Sequence, residues 1–461
     1  MTKACEKSSF WKNKEYDRQI IKDLMDGVEV VRRKYLIQNN AENQTKFQKR
    51  QQQAQLSPLV ETQINGLVGK GLASGISVNS DNDFINSLNK NFDGFNRTIF
   101  DFSRDFYKLA ETYSEAYAFV DFEQLEIDEN GNLQNADNLR PFVVILDLNS
   151  ILHTRDNGKE CTYLRFKEYK TISNGYDDQE VIYIKEFEKS NGKVYWSLIQ
   201  VIEDSEIIIV NKEVYFLDYI PLVELYPNGS KKMFSINLFW KNCANLNIGH
   251  FNAYSHYLNL SKVNSIPVML VKAVGKQAGD TIEFGAGTAV CTDSKDGSIE
   301  FVEPSGAGLN GALETVKKFE NDINFFGLNV NTGASGNPTA TASAIEESTV
   351  NAMLSARMIS LKDAIDKIIK IIIDWESFKD SSLLNAEYKV ELNTEFNTKG
   401  DQLALQALLN AYDRQAISKR TLTDGLIKLG FLDKNFDYEK DAEEIENAIN
   451  GLNLLNNVNQ E

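Results

Sequence analysis

Residues 306–375 read GAGLNGALETVKKFENDINFFGLNVNTGASGNPTATASAIEESTVNAMLSARMISLKDAIDKIIKIIIDW, and three textures follow one another in them. After Gly311 the apolar residues Leu313, Val316, Phe319, Ile323 and Phe326 recur at steps of three and four, which predicts an amphipathic helix. Gly327 ends it. Residues 329–337, NVNTGASGN, then have too little apolar surface to fold on themselves and read as a loop that orders on demand. Pro338 and Thr339 suit the start of the next helix. Its apolar positions Ile345, Ala352, Met353, Ala356, Ile359, Ile365, Ile368, Ile369 and Ile372 keep helical spacing as far as Trp375. Some 37 residues in one helix would span ~55 Å, more than a small domain needs. A polar loop held between two long helices is a lid, a linker, or a finger that touches a long polar partner threading past.

Working outward, 461 residues of which 42% are hydrophobic suffice for two or three domains with real cores. A formal charge of -17 excludes a protein whose whole surface grips nucleic acid, because phosphate neutralisation needs clustered Lys and Arg. Any DNA contact must be local or deliberately non-adhesive. Cys5, Cys161, Cys243 and Cys291 lie far apart with no C-x-x-C pair, which suggests neither a zinc site nor a disulfide framework. A reduced compartment is the default expectation. The N-terminus lacks the apolar core of a signal peptide and no run of about 18 apolar residues occurs, so a soluble intracellular product is expected, with no membrane partner.

The first 120 residues read as helices. Ile20, Ile21, Leu24, Val28 and Val31 keep helical steps, residues 59–72 continue after Pro58, and Phe95, Ile99, Phe102, Phe106, Leu109, Tyr113 and Ala116 form a stripe of core type. From about residue 116 the period shifts to that of a strand, and residues 140–225 hold short β segments separated by NG and DNG turns, so an antiparallel sheet is expected. Residues 225–279 contain no Asp or Glu. The first half of that window, residues 236–264, reads as a helix of ~40 Å, which either packs against acidic neighbours or faces a polyanion. Residues 267–302 read as a small β module between two helices that can run side by side beneath it. Residues 386–396 alternate like a strand that returns to the sheet, and the tail is helical at 403–411, 418–430 and 438–455.

Chemistry-bearing motifs are few. Residues 306–311, GAGLNG, match G-x-G-x-x-G between a strand and a helix, but Pro304 sits at the strand end and no second parallel strand follows. No Walker lysine is present, since Gly71 and Gln277 stand where Ser or Thr is required. Asp128, Asn130 and Asn132 start like a calcium loop, yet Leu139 occupies the position of the bidentate Glu. His250 and His256 are six apart and not on one helical face, which disfavours a metal pair. Neither a catalytic residue, a metal nor a cofactor is expected, and the chain does not read as an enzyme.

The order of parts resembles the portal proteins of tailed bacteriophages over nearly the whole chain. The resemblance is carried by DLMDG at 23–27, Tyr35-Leu36, INGLVGKGL at 64–72, AYAFVDF at 116–122 and Arg140-Pro141-Phe142. It continues in LNIGHFNAYSHYLNLSKVNSIPVMLV at 246–271, FVEPSGAGL at 301–309, FFGLN at 325–329 and TATASAIEES at 339–348. The chain departs from the family pattern at Tyr117 and Ala118, where a glycine is common, and at Ser343, where the family usually has Glu.

That resemblance implies an α+β fold with a helical and antiparallel-sheet wing, a two-helix stem, a small β clip, a long helix behind a tunnel loop and a short helical crown. Carried onto this chain, residues 1–235 are the wing, helical to 120 and β-rich from 121. Residues 236–265 are the first stem helix, 266–305 the clip, 306–328 the second stem helix, 329–338 the tunnel loop, 339–377 the long wing helix, 378–400 a wing strand and 401–461 the crown region. The implied function is a head-to-tail connector ring, usually dodecameric, at the capsid portal vertex of the virion, for DNA packaging and later ejection. The implied partners are further copies of the chain, double-stranded DNA, the terminase large subunit, neck or adaptor proteins, and major capsid and scaffolding proteins, with assembly in the host cytoplasm. Asn329, Asn331, Thr332, Ser335 and Asn337 would face DNA on the tunnel loop, and Lys241 and Lys262 would line the stem lumen. Lys272, Lys276, Asp293, Lys295 and Asp296 would serve docking on the clip. Two alternatives stay open: another head-to-tail connector or collar ring protein, and a nucleotide-binding enzyme built on GAGLNG.

Overall fold

The computed structural model describes residues 3–40, 42–122, 126–127, 133–134, 140–173, 175, 178–202, 205–230, 232–235, 237–265, 268–272, 298–302, 307–327, 340–377, 379–394, 396, 402–428, 431–432, 436, 438 and 440–441. Its chain starts with α1 (Ser9–Met25), α2 (Val28–Tyr35), α3 (Gln44–Gln53) and α4 (Leu59–Gly71). Ser8 caps α1 by accepting from the Trp11 amide, and Gly27, at φ +96°, makes the bend between α1 and α2 that a β-carbon would disfavour. Next come β1 (Ile76–Ser80), the short α5 (Asp83–Ser87) and α6 (Ile99–Tyr113). Thr98 caps α6 and Ser114, in the left-handed region, ends it, turning the chain into β2 (Ala116–Phe122). Ile99, Phe102, Phe106 and Ala116 of the expected stripe are buried, whereas Phe95 precedes the helix and is 60% exposed.

The β region is β3 (Glu126–Ile127), β4 (Leu133–Gln134), β5 (Pro141–Ile145), β6 (Ile151–Asp156), β7 (Cys161–Ser173), β8 (Asp178–Ser190), β9 (Lys193–Ile202), β10 (Ser205–Val214) and β11 (Leu222–Leu225). It does not form one sheet. Strands β6 to β10 make a five-stranded antiparallel sheet in sequence order, while β2 is central in a separate three-stranded sheet between β11 and β5. Phe119 of β2 meets Phe166 and Phe187 of the larger sheet at ring centroid distances of 5.2 and 5.0 Å. Beside that aromatic contact Lys185 pairs with Asp121 at 2.7 Å and Glu168 at 3.1 Å. The three groups are mostly shielded from water, so the ammonium needs both carboxylates to offset its lost hydration.

After β11 come α7 (Lys241–Asn264), the antiparallel pair β12 (Val268–Lys272) and β13 (Ser298–Val302), α8 (Ala307–Phe326), α9 (Ala340–Glu376), β14 (Tyr388–Leu392), α10 (Gln402–Asp413) and α11 (Lys419–Lys428). Helix α9 is the spine of the core: Leu354, Met358, Leu361, Ile365, Ile368, Ile369 and Ile372 are fully buried. They pack with residues of α4, α6 and the three-stranded sheet in one continuous cluster. The start of β2 is tied to α1 by charge, since Glu115 accepts from Lys14 at 2.5 Å and Arg18 at 2.7 Å with its carboxylate fully buried. The fold class is α+β.

Three expectations need correction. The strand at 388–392 pairs with β1, not with the main sheet, through the register Ile76↔Leu392 to Ser80↔Tyr388. Val78 and Val390 face each other in that ladder and are buried, an apolar match that residues 76–80 offer from inside a region read as helical. The helix expected from residue 236 starts at Lys241, because Trp240 is drawn into the core ahead of the first turn and the Phe239 amide bonds Ser114 Oγ at 3.0 Å. Residues 140–225 divide between two sheets. In the GAGLNG stretch, which was not expected to bind a nucleotide, Gly308 and Gly311 lie inside α8, and β13 runs antiparallel to β12, so the parallel βαβ unit of a dinucleotide fold is missing there. The expected helix at 438–455 falls largely outside the described residues.

Candidate nucleic-acid interface

The segment that separates α7 from α8 closes on itself, since Val268 stands opposite Val302 in the β12–β13 ladder. The C-terminal end of α7 and the N-terminal end of α8 are therefore neighbours, and the two helices run antiparallel. Their contact is close because α7 carries Gly249, whose missing side chain admits the ring of Phe319. One residue on, His250 is fully buried with Nε2 3.3 Å from Glu320 Oε1. Burial pushes the imidazole below its ordinary value, and the Glu320 carboxylate opposes that shift without cancelling it. At the other end of α8, Gln63 of α4 donates to Ile323 O at 3.4 Å and Asn324 Oδ1 at 3.1 Å.

The N-terminal helices hold the rest of α7. Asn247 donates to Ser57 O and accepts from the Val60 amide, so a buried amide on α7 serves as the cap that α4 lacks. Asn252 donates to Tyr35 O and accepts from the Ile37 amide in the same manner for the end of α2. Arg50, paired with Glu42 at 2.7 Å, reaches Ser255 Oγ at 3.3 Å. The acid-free helix thus meets acids from elsewhere in its own chain, Asp17 and Glu320. Cys243 is buried in the same interface and its thiol is pushed up to about 11, which makes it an apolar filler and not a nucleophile.

Lys241 and Lys262 are both on the side of α7 that faces the N-terminal helices. Lys241 Nζ is 2.6 Å from Asp17 Oδ1, and Lys262 Nζ donates to Gln53 Oε1. Lys272 ends β12 opposite Ser298. Asn329, Asn331, Thr332, Ser335 and Asn337 of the expected loop, and Lys276, Asp293, Lys295 and Asp296, lie outside the described residues. The long helix α9 is anchored by a buried ion pair that sequence reading missed: Arg357 Nη1 to Glu111 Oε1 at 2.7 Å, with Nη2 on Asn228 Oδ1 at 2.7 Å. Arg357 and Glu111 are 246 residues apart, and only an arginine on the apolar stripe of α9 hinted at it. Among the described residues no group of three or more His, Cys, Asp or Glu side chains is placed to hold a metal ion, and no helix is long and apolar enough to cross a membrane.

Residues 241–376 match the model of a domain of unknown function, DUF4055. The matched segment begins at the first residue of α7 and ends at the last residue of α9, so it spans the helix pair, the β12–β13 ladder and the long helix. Among solved structures, the chain is similar to one in the neck of a native GTA particle computed with C12 symmetry, at 8% identity and a TM-score of 0.39, covering 81% of this chain and 90% of that one. A chain in the neck of an empty GTA particle computed with C6 symmetry is similar at 10% identity, with the same TM-score and coverage. A likeness that loose does not fix the fold. No curated protein matches by sequence.

Proposed function

We propose that this chain is a portal-type subunit, a non-enzymatic component of a phage-like particle that assembles into a ring through which double-stranded DNA enters and leaves. The observation that carries the reading is the antiparallel α7–α8 pair with the β12–β13 ladder at one end and α9 following its other end. In a ring, the helix pairs form the stem, the ladder reaches outward as the clip, and residues 329–337 meet the lumen. The terminase motor and then neck proteins dock on the clip, with Lys272, Lys276, Asp293, Lys295 and Asp296 as contact residues. Capsid and scaffolding proteins surround the wing.

The charge balance supports this job. A conduit has to let a polyanion slide, and each phosphate neutralised by a fixed cation adds salt-dependent affinity that opposes sliding. A chain of net charge -17 keeps such affinity low. The Asn, Ser and Thr side chains of the loop offer exchangeable contacts to phosphate without a fixed charge pair. The nucleotide-enzyme alternative loses its motif, because Gly308 and Gly311 are helical.

Negative-stain imaging and mass measurement of the purified chain, at low and at high protein concentration, test the proposal. The expected result is annular particles with a central hole, at a high multiple of 52.1 kDa. Compact particles of one or two copies under both conditions would overturn it.

A further inference from the structure

The chain treats the two edges of its five-stranded sheet differently. At β6 the Ser8 amide donates to Leu152 O at 2.8 Å and the Trp11 indole donates to Thr154 Oγ1 at 3.0 Å, so the segment that enters α1 covers that edge. At the other edge, among the described residues, β10 pairs with β9 alone. Ile207, Ile208 and Ile209 are 48, 60 and 48% exposed there. Proteins normally keep such an edge short, charged or broken by proline, whereas β10 is ten residues long and shows three successive isoleucines to solvent. Bulges blunt its second half, since the register slips between Ile208 and Val210 and again before Glu213. Ser205 to Ile208 keep an unbroken register against Ile202 to Ile199. We propose that the outer edge of β10 at Ser205–Ile208 is a docking site for an extended segment of a different polypeptide, apolar at alternate positions and basic at its ends, which adds a strand to the sheet.

Charge selects that occupant. Residues 203–213, EDSEIIIVNKE, hold four acidic residues and one lysine, and the lysine is engaged, with Lys212 Nζ 3.4 Å from Glu188 Oε2. Glu206 Oε1 accepts from the Ala4 amide at 2.9 Å, a neutral donor that leaves the carboxylate charge unpaired. Alternate apolar residues of an incoming strand cover the isoleucines, and a lysine or arginine at its end meets a carboxylate that the chain does not neutralise itself. A second copy of the chain fits less well. Setting β10 against β10 brings one acidic run to another, and like charges directly opposite are unfavourable. Continuing the sheet from β10 of one copy onto β6 of the next is blocked as well, because Ser8 already occupies the Leu152 carbonyl. The sheet thus has one open edge and one closed edge, which suits the capture of a foreign strand and not a head-to-tail chain of copies.

The probe is a short fluorescent peptide in which valine alternates with threonine between terminal lysines, and the same peptide with terminal glutamates is its control. On the full chain the lysine peptide is expected to bind and to slow amide hydrogen exchange at 205–208. The glutamate peptide should bind at least ~10-fold more weakly, the effect of turning two favourable charge pairs into unfavourable ones. Ile208→Lys, at a position 60% exposed, should abolish the protection with an unchanged urea midpoint, and Ile208→Val should retain it. No binding of the lysine peptide, equal binding of the two peptides, or protection away from β10 would each overturn the proposal. So would a loss of self-assembly in Ile208→Lys, because the edge would then belong to a contact between copies. A chain that forms no rings yet binds the lysine peptide at β10 would overturn the portal reading and leave this site standing.

Discussion

A β-carbon on Gly249 of α7 would stand 2.7 Å from Cε1 of Phe319 on α8, so the helices approach to a distance that only glycine permits with the ring in place. Gly249→Leu should destabilise the chain by roughly 1–3 kcal/mol, the usual cost of overpacking a fitted contact. The double variant Gly249→Leu with Phe319→Ala should recover most of that loss, because the leucine then occupies the space of the ring. Urea unfolding of the three proteins measures it. An additive double variant would show that the two residues do not share the contact.

The Arg357–Glu111 pair is buried on both sides, and Glu111 Oε1 is its acceptor at 2.7 Å. Burial pushes the Glu111 carboxyl up, and the guanidinium beside it acts in the opposite direction. Arg357→Met leaves that carboxyl without its counter-charge and should cost about 3–5 kcal/mol, whereas Glu111→Leu with Arg357→Met together should cost much less. Denaturant midpoints with an unchanged slope report the comparison. Equal losses in the single and double variants would mean that the pair is not what anchors α9.

His250 sets a pH dependence whose sign follows from its burial. Its folded-state value is depressed, so the unfolded chain takes up a proton first. Stability is therefore full above the ordinary histidine range near 6.5 and falls as pH drops through that range toward the folded value. Thermal unfolding between pH 7.5 and 5.5 should show a decline that is shallower in His250→Gln, which keeps a donor toward Glu320. Parallel curves for the two proteins would assign the decline to other groups.

Thiol reactivity should be ordered by burial. Cys161 and Cys243 are buried, with thiols pushed up to about 12 and 11, while Cys5 is only partly covered. A disulfide reagent at neutral pH should modify Cys5 in the native chain well before Cys161 and Cys243, and all of them at similar rates in denaturant. Fast native labelling of Cys161→Ser and wild type alike, at Cys243, would contradict the packing of α7.

The sequence by itself determined the local elements. Apolar residues at helical steps gave α4, α6, α8 and α9 close to their observed spans, and alternation with NG turns gave the strands between 140 and 225. Periodicity is a property of neighbours along the chain, so it is legible without coordinates. It does not say which strand meets which, and β14 was therefore assigned to the wrong sheet: its partner β1 lies more than 300 residues away, as Ser80 and Glu387 do. It also does not say which polar residues spend their charge inside the chain. Lys241 and Lys262 look like free cations in the sequence, and only the packing of α7 on the N-terminal helices gives them Asp17 and Gln53. Burial and pairing depend on segments far apart in the chain, and those are brought together only by the tertiary fold.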